Sequence, residues 1–139
     1  MDGYVEITGN SYFEAAPVEK PQLAELERGT IQNLNNGTMI ITGGTIIATK
    51  QHGISNEATL TLGTKDGDPN TTPVIIGTKY GVLNIGTFNY YDGIIKGITS
   101  AISGEITGED EVLQKIEDTE IINDKEYKTV YLELKDTGE

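Results

Sequence analysis

The sequence predicts an all-β chain wound as a short parallel β-helix, a solenoid of about three to four coils. Three observations carry that prediction. First, the stretch 29–104 repeats itself. Ile31-Gln-Asn33 leads to Met39-Ile-Ile41 and Thr45-Ile46-Ile47; Ile54-Ser-Asn56 leads to Leu60-Thr-Leu62 and Val74-Ile75-Ile76; Val82-Leu-Asn84 leads to Phe88-Asn-Tyr90 and Gly93-Ile94-Ile95. A further pass opens at Ile102-Ser-Gly104 and dissolves. The successive steps from Ile31 to Ile54, to Val82 and to Ile102 are 23, 28 and 20 residues, within the period of roughly 20 to 50 that marks solenoids and propellers. Second, each pass is built of short apolar runs broken by Gly and Asn, which read as strands joined by tight turns. Third, 17 glycines and abundant Thr, with little Leu or Ala, suit strands and turns rather than helices.

The totals narrow the function classes. At 139 residues the chain is one domain, long enough to bury a core. Its 22 acidic and 10 basic residues give a net charge of −12, which repels phosphate backbones and anionic lipid, so no nucleic acid is expected as a partner. No stretch approaches the roughly 18 apolar residues of a membrane helix, and the first residues lack the charged and apolar regions of a signal peptide. No membrane insertion is expected, and Met1-Asp-Gly3 reads as an added start or the cut end of a larger protein. With no cysteine, disulfides and thiolate chemistry are excluded.

Residues 1–28 read as an N-terminal capping segment. Tyr4-Val-Glu-Ile-Thr8 alternates like an edge strand, and Gly9-Asn10-Ser11 makes a turn before Tyr12-Phe13. Pro17 and Pro21 keep the next part out of a ladder interior. Pro21 to Glu27 reads as one or two helical turns carrying Leu23 and Leu26, stopped by Gly29. A solenoid exposes strand edges at its ends, and this segment is assigned to covering the first coil.

Within the coils, residues 29–104, alternation aligns Met39, Leu60 and Phe88 inward, and likewise Ile41, Leu62 and Tyr90. Ile40, Thr61, Asn89 and Tyr91 then face out, and the Ile pairs 46–47, 75–76 and 94–95 form the next wall. Asn33, Asn56 and Asn84 recur at one place in every pass. Stacked at about 4.8 Å, they read as an asparagine ladder whose amides satisfy backbone groups in their own and the adjacent coil. That turn-holding role outweighs sugar recognition by a row of amides.

The second pass is longer than the others. From Leu62 to Ile75 is 13 residues, against 5 from Ile41 to Ile46. The surplus is the turn-rich run Gly63 to Pro73, which reads as a loop projecting from the wall, and insertions in solenoids gather where binding happens.

Residues 105–139 break the pattern. Glu105 to Ile116 is acidic with a weak helical spacing. Thr119 to Ile122 and Thr129 to Leu134 flank Asn123-Asp-Lys-Glu126, which reads as a β-hairpin with a loop of four to six residues, capping the last coil. The runner-up fold is an antiparallel β-sandwich, encouraged by the hairpin-favouring pair Asn36-Gly37.

The run Asn-x-Gly-Thr followed by alternating apolar residues and a Gly-Ile or Gly-Val restart resembles the right-handed parallel β-helix repeats of bacterial surface and passenger-type adhesins. Gly63-Thr-Lys-Asp-Gly67, Thr78-Lys-Tyr-Gly-Val82 and Gly86 to Gly97 carry the likeness. It covers about residues 29–104 and implies a pectin-lyase-like coil and an extracellular or cell-surface location. It supplies no catalytic motif for these residues.

Candidate chemistry is sparse. Asp66-Gly-Asp68-Pro-Asn70 opens like an EF-hand loop, but Thr71 stands where Gly is needed and Gly77 where Glu is needed. Calcium there is a weak candidate, and no other cofactor is expected. Glycosidases need two carboxylates across a sugar bond, and Asp66, Asp68, Asp92 and Glu105 are available. The sole Arg, Arg28, lies outside the repeats, however, and three coils rise only about 15 Å. His52 beside Gly53 reads as an exposed turn residue rather than a base. Tyr80 and Tyr91 are candidates for stacking on sugars, with Asp66, Asp68 and Asn70 as the polar contacts. A Thr-x-Thr ladder fails because Ile40 and Asn89 occupy the slots of Thr61. The expected function is therefore a non-catalytic structural or adhesive module whose partners are a glycan, a host or cell-surface protein, or copies of itself stacked end to end. The alternative is a small carbohydrate-active or tailspike-like domain.

Overall fold

The computed structural model describes residues 4–7, 12–15, 29–33, 37–48, 52–65, 72–109 and 111–135. Runs of β-branched residues only four or five long, each ended by Gly, Asn or a bend, give short strands and no helix among the described residues. In chain order they are β1 Tyr4–Ile7, β2 Tyr12–Ala15, β3 Gly29–Asn33, β4 Thr38–Ile41, β5 Thr45–Ala48, β6 His52–Asn56, β7 Thr59–Leu62, β8 Val74–Gly77, β9 Tyr80–Asn84, β10 Thr87–Tyr90, β11 Ile94–Gly97, β12 Ser100–Ser103 and β13 Gly108–Glu109. Two longer strands follow, β14 Leu113–Ile122 and β15 Lys125–Leu134.

Three sheets result, ordered β1-β4-β7-β10-β13, β14-β15-β11-β8-β5-β2 and β12-β9-β6-β3. The chain visits the first, second and third sheet in turn, then returns to the first one rung on. Every pairing between repeats is parallel and in register. Met39, Leu60 and Phe88 form one column, and Ile41, Leu62 and Tyr90 the next. Ile31, Ile54, Val82 and Ile102 form a column in the third sheet. This all-β arrangement is compatible with a parallel β-helix or solenoid. The antiparallel sandwich is excluded, because β3 and β4, on either side of Asn36-Gly37, lie in different sheets.

One column differs from the expected alignment. Ile46 and Ile75 are matched by Ile95, while Ile94 sits beside Val74 and Lys96 beside Ile76. An Ile-Ile pair presents one aliphatic side chain to each face of a strand, so the pair alone does not set the phase. In the leading segment, β1 and β2 pair parallel with β4 and β5, matching Ile7 to Ile41 and Phe13 to Ile46. They therefore lie on the same ladders as the repeats. The stretch holding Pro17, Pro21, Leu23 and Leu26 lies outside the described residues.

Alternation makes the core. In β4, β5, β7, β8, β10 and β11 each buried residue follows a half-buried one. Ile41, Ile46, Ile54, Leu60, Leu62, Ile75, Val82, Phe88 and Ile95 have no exposed surface, and each such side chain contributes about 1.5–3 kcal/mol of burial. The third sheet meets the second at a corner with no room for side chains. A Cβ on Gly53 or Gly81 would drive into Ile75 or Ile95, respectively.

The C-terminal region differs from its expected form. No helix forms over 105–116 among the described residues; the chain instead enters β13 and β14. β14 and β15 pair antiparallel over ten rungs. Their turn is two residues, Asn123 and Asp124, at φ of 51° and 66°, the left-handed pair of a type I′ hairpin rather than a loop of four to six. β15 lies antiparallel on β11, with Val130 opposite Ile95, and Leu113, Val130 and Leu132 join the core cluster.

Candidate functional site

The asparagines are where the repeat and the packing meet. Asn33, Asn56 and Asn84 close β3, β6 and β9 at one corner and are all buried, Asn56 completely. Asn33 Nδ2 donates to Asn56 Oδ1 at 2.9 Å and to the Thr59 carbonyl at 2.8 Å. Asn56 Nδ2 repeats this one rung on, donating to Asn84 Oδ1 at 2.7 Å and to the Thr87 carbonyl at 2.8 Å. Asn84 Nδ2 donates to the Glu105 carbonyl at 2.8 Å. Each amide thus bridges neighbouring rungs at a corner where backbone carbonyls would otherwise be stranded in an apolar interior. The column ends at Gly104, which sits at φ 102°, and a Cβ there would strike the Asn84 carbonyl. No side chain can extend the ladder at that rung.

Asp66, Asp68 and Asn70, the candidate contacts and weak calcium ligands, lie outside the described residues. The described base of their loop is a fixed corner. Gly63 and Gly93 adopt φ of 84° and 109°, Ile94 N–H donates to the Pro73 carbonyl at 2.9 Å, and Gly93 N–H donates to the buried Asp92 carboxylate at 2.7 Å. Tyr90, beside it, donates its hydroxyl to the Gly93 carbonyl at 2.8 Å, with the Val130 carbonyl at 3.2 Å as second acceptor. Burial, and then the charge of Asp92, hold this phenol protonated far above its ordinary range. Among the described residues no group of three or more His, Asp or Glu side chains is placed to hold a metal ion.

The two tyrosine candidates sit at different corners. Tyr80 opens β9 and stacks on His52 of the rung below, with ring centroids 5.2 Å apart and planes at 11°. Lys79 Nζ lies 5.6 Å from the centre of the Tyr80 ring. His52 is fully buried rather than an exposed turn residue, because it opens β6 inside the third sheet instead of ending a loop. Tyr91 follows β10, and its hydroxyl reaches the outer face of the first sheet beside Gly108 and the Asn89 amide.

That outer face carries a threonine column although the full Thr-x-Thr pattern does not repeat. Register places Thr38, Thr59 and Thr87 in one outward column, and Ile40, Thr61 and Asn89 in the next. Asn89 Nδ2 donates to Thr61 Oγ1 at 3.1 Å. All six positions are uncharged in a chain that is 23% charged. The signal was present as threonine one place before each inward residue, in Gly37-Thr38, Ala58-Thr59 and Gly86-Thr87. Comparison with family models, with curated proteins and with solved structures finds no match.

Proposed function

We propose that the chain is a non-catalytic structural module: a right-handed β-helix of four coils, the first begun by β1 and β2 of the segment 1–28 and the last closed by the hairpin. The observation that carries this reading is the buried amide column joined to a continuous apolar interior. Together they lock each rung to the next and leave the outward side chains free of the packing. The resemblance of the repeats to those of bacterial surface adhesins supports display outside the cell.

Size-exclusion chromatography with light scattering across a wide concentration range tests the closed ends. A constant monomer mass is expected, whereas filaments growing with concentration would overturn them. Incubation with acidic and neutral polysaccharides tests the absence of catalysis, since released oligosaccharides would end the scaffold reading. The outer face of the first sheet favours one second reading, a glycan-binding surface, through its uncharged Thr, Asn and Tyr91 groups. Binding of a neutral glycan that is lost in Thr59→Lys would support it.

A further inference from the structure

The three sheets do not end together. Above the rung of β10, β11 and β12, the first sheet continues with β13 and the second with β15 and β14, but β12 is the last strand of the third sheet among the described residues. A groove of about 440 Å³ opens there. Its floor is Ser100 and Ala101 of β12, and its wall includes Glu117, Asp118 and Thr119 of β14 and Val130 of β15. We propose that this groove is a strand-acceptor site, which an extended segment of a partner protein enters as the missing rung, parallel to β12.

The columns below state what the incoming strand must carry. Above Ala101 it needs a small residue, because that column holds Gly53 and Gly81, placed where a Cβ would meet the neighbouring sheet. The next residue stands over Ile54, Val82 and Ile102 and is a β-branched aliphatic. Glu117 and Asp118 outnumber Lys128 on the wall, so a cationic residue ahead of the small one is favoured. The Ile102 carbonyl accepts a bond from Ser100 Oγ at 3.0 Å, a contact that an incoming backbone N–H would replace. Backbone ladder bonds would supply affinity and the two columns specificity. A second copy of this chain does not fit as donor. Its own β3 shares a rung with β1 and β2, whose places above the top rung are already taken by β13 and β15.

The inference rests on the solenoid reading of the stack but not on the absence of catalysis. Its probe is the chain's own third-sheet sequence, a fluorescent synthetic peptide of residues 79–84, Lys-Tyr-Gly-Val-Leu-Asn. Saturable binding is expected, weakened about tenfold or more when the valine is replaced by aspartate. Thr119→Trp fills the groove from an exposed position and should abolish binding with the thermal midpoint retained. Glu117→Lys should weaken binding and flatten its salt dependence. Amide shifts on titration should map to β12, β14 and β15. No binding to the folded chain, binding unaffected by Thr119→Trp, or shifts confined to other elements would overturn the site. None of those results would disturb the scaffold reading, which fails instead on polysaccharide cleavage or filament growth.

Discussion

Residues 29–104 carry four acidic and four basic side chains, and in β4, β5, β7, β8, β10 and β11 buried positions alternate with half-buried ones. Along the hairpin, residues 105–139 carry twelve acidic and four basic, and all of β14 except Leu113, Ile116 and Ile122 is exposed. The body is held by apolar columns and amides, each rung supported from two sides. The hairpin is held by its own ladder, by the pairing of β15 with β11 and by three apolar anchors, Leu113, Val130 and Leu132. The contrast follows from position. An inner rung has neighbours above and below, so it needs no charge. A terminal strand presents an unpaired edge, and Lys115, Glu117, Asp118 and Glu120 along β14 make that edge a poor template for further pairing. Stability and solubility are thus allotted to different parts of one chain, and substitutions should separate them.

Asn56→Ala should have the largest effect. It removes the amide donor to the Thr87 carbonyl and to Asn84 Oδ1, and the acceptor of one of the Asn33 Nδ2 bonds, and each group left unsatisfied costs about 1–3 kcal/mol. A loss of about 3 kcal/mol or more in urea denaturation, as one cooperative transition, is expected. A loss near that of an ordinary surface substitution would show that the ladder is decorative. Leu132→Ala, an anchor of the hairpin, should cost about 2 kcal/mol. Its signature differs: amide exchange should accelerate across β14 and β15 while β7 and β10 remain protected. Uniform acceleration would mean that hairpin and body unfold as one unit.

The same contrast governs what the sequence revealed. Asn33, Asn56 and Asn84, and the Met39, Leu60 and Phe88 column, were readable because a stacked body repeats its chemistry at equivalent positions. The phase of Ile94-Ile95 was not, since either residue fits an inward slot and only Lys96, one place on, marks the outward one. The hairpin had no repeat to compare. Exposed on both faces, β14 shows no period of two, and Leu113 and Ile116, three apart and flanked by acidic residues, imitate a helical spacing. His52 was misread because Gly53 signals a turn, whereas here the glycine makes room for Ile75 at a corner. The outward threonine column is one half of a Thr-x-Thr pattern: Thr38, Thr59 and Thr87 recur two places before Ile40, Thr61 and Asn89, where the second threonine is not repeated. The groove above β12 could not be read at all, because it exists only where the three sheets end at different heights.

Tyr90 joins the two regions, with its ring in the body and the Val130 carbonyl of the hairpin in reach of its hydroxyl. Its folded-state pKa is raised, so the phenol keeps its proton in the fold at a pH where the unfolded chain loses it. That contribution is whole below about pH 10, the ordinary tyrosine value, and declines as pH rises beyond it, because ionisation then favours the unfolded chain. Tyr90→Phe should cost about 1 kcal/mol at neutral pH through the lost hydrogen bond. It should also flatten the decline in stability between pH 9 and pH 11 measured by denaturant titration. An unchanged slope would place that decline in other groups.

The smallest effect is expected where the hairpin meets the body through charge. Lys96 stands in the outward column of Ile47 and Ile76 and pairs with Glu120 of β14. Glu120 is 48% exposed, so solvent screens the pair although the lysine is only 13% exposed, and such surface pairs contribute about 0–1 kcal/mol. Glu120→Gln should therefore shift stability by about 0.5 kcal/mol or less, a shift that vanishes in high salt. Lys96→Ile, which continues the aliphatic column, should be close to neutral, since added burial offsets the lost pair. If either substitution instead released the hairpin, with exchange in β14 and β15 rising as far as in Leu132→Ala, charge rather than the three apolar anchors would be what fastens it. The division of labour between body and hairpin would then fail at their junction.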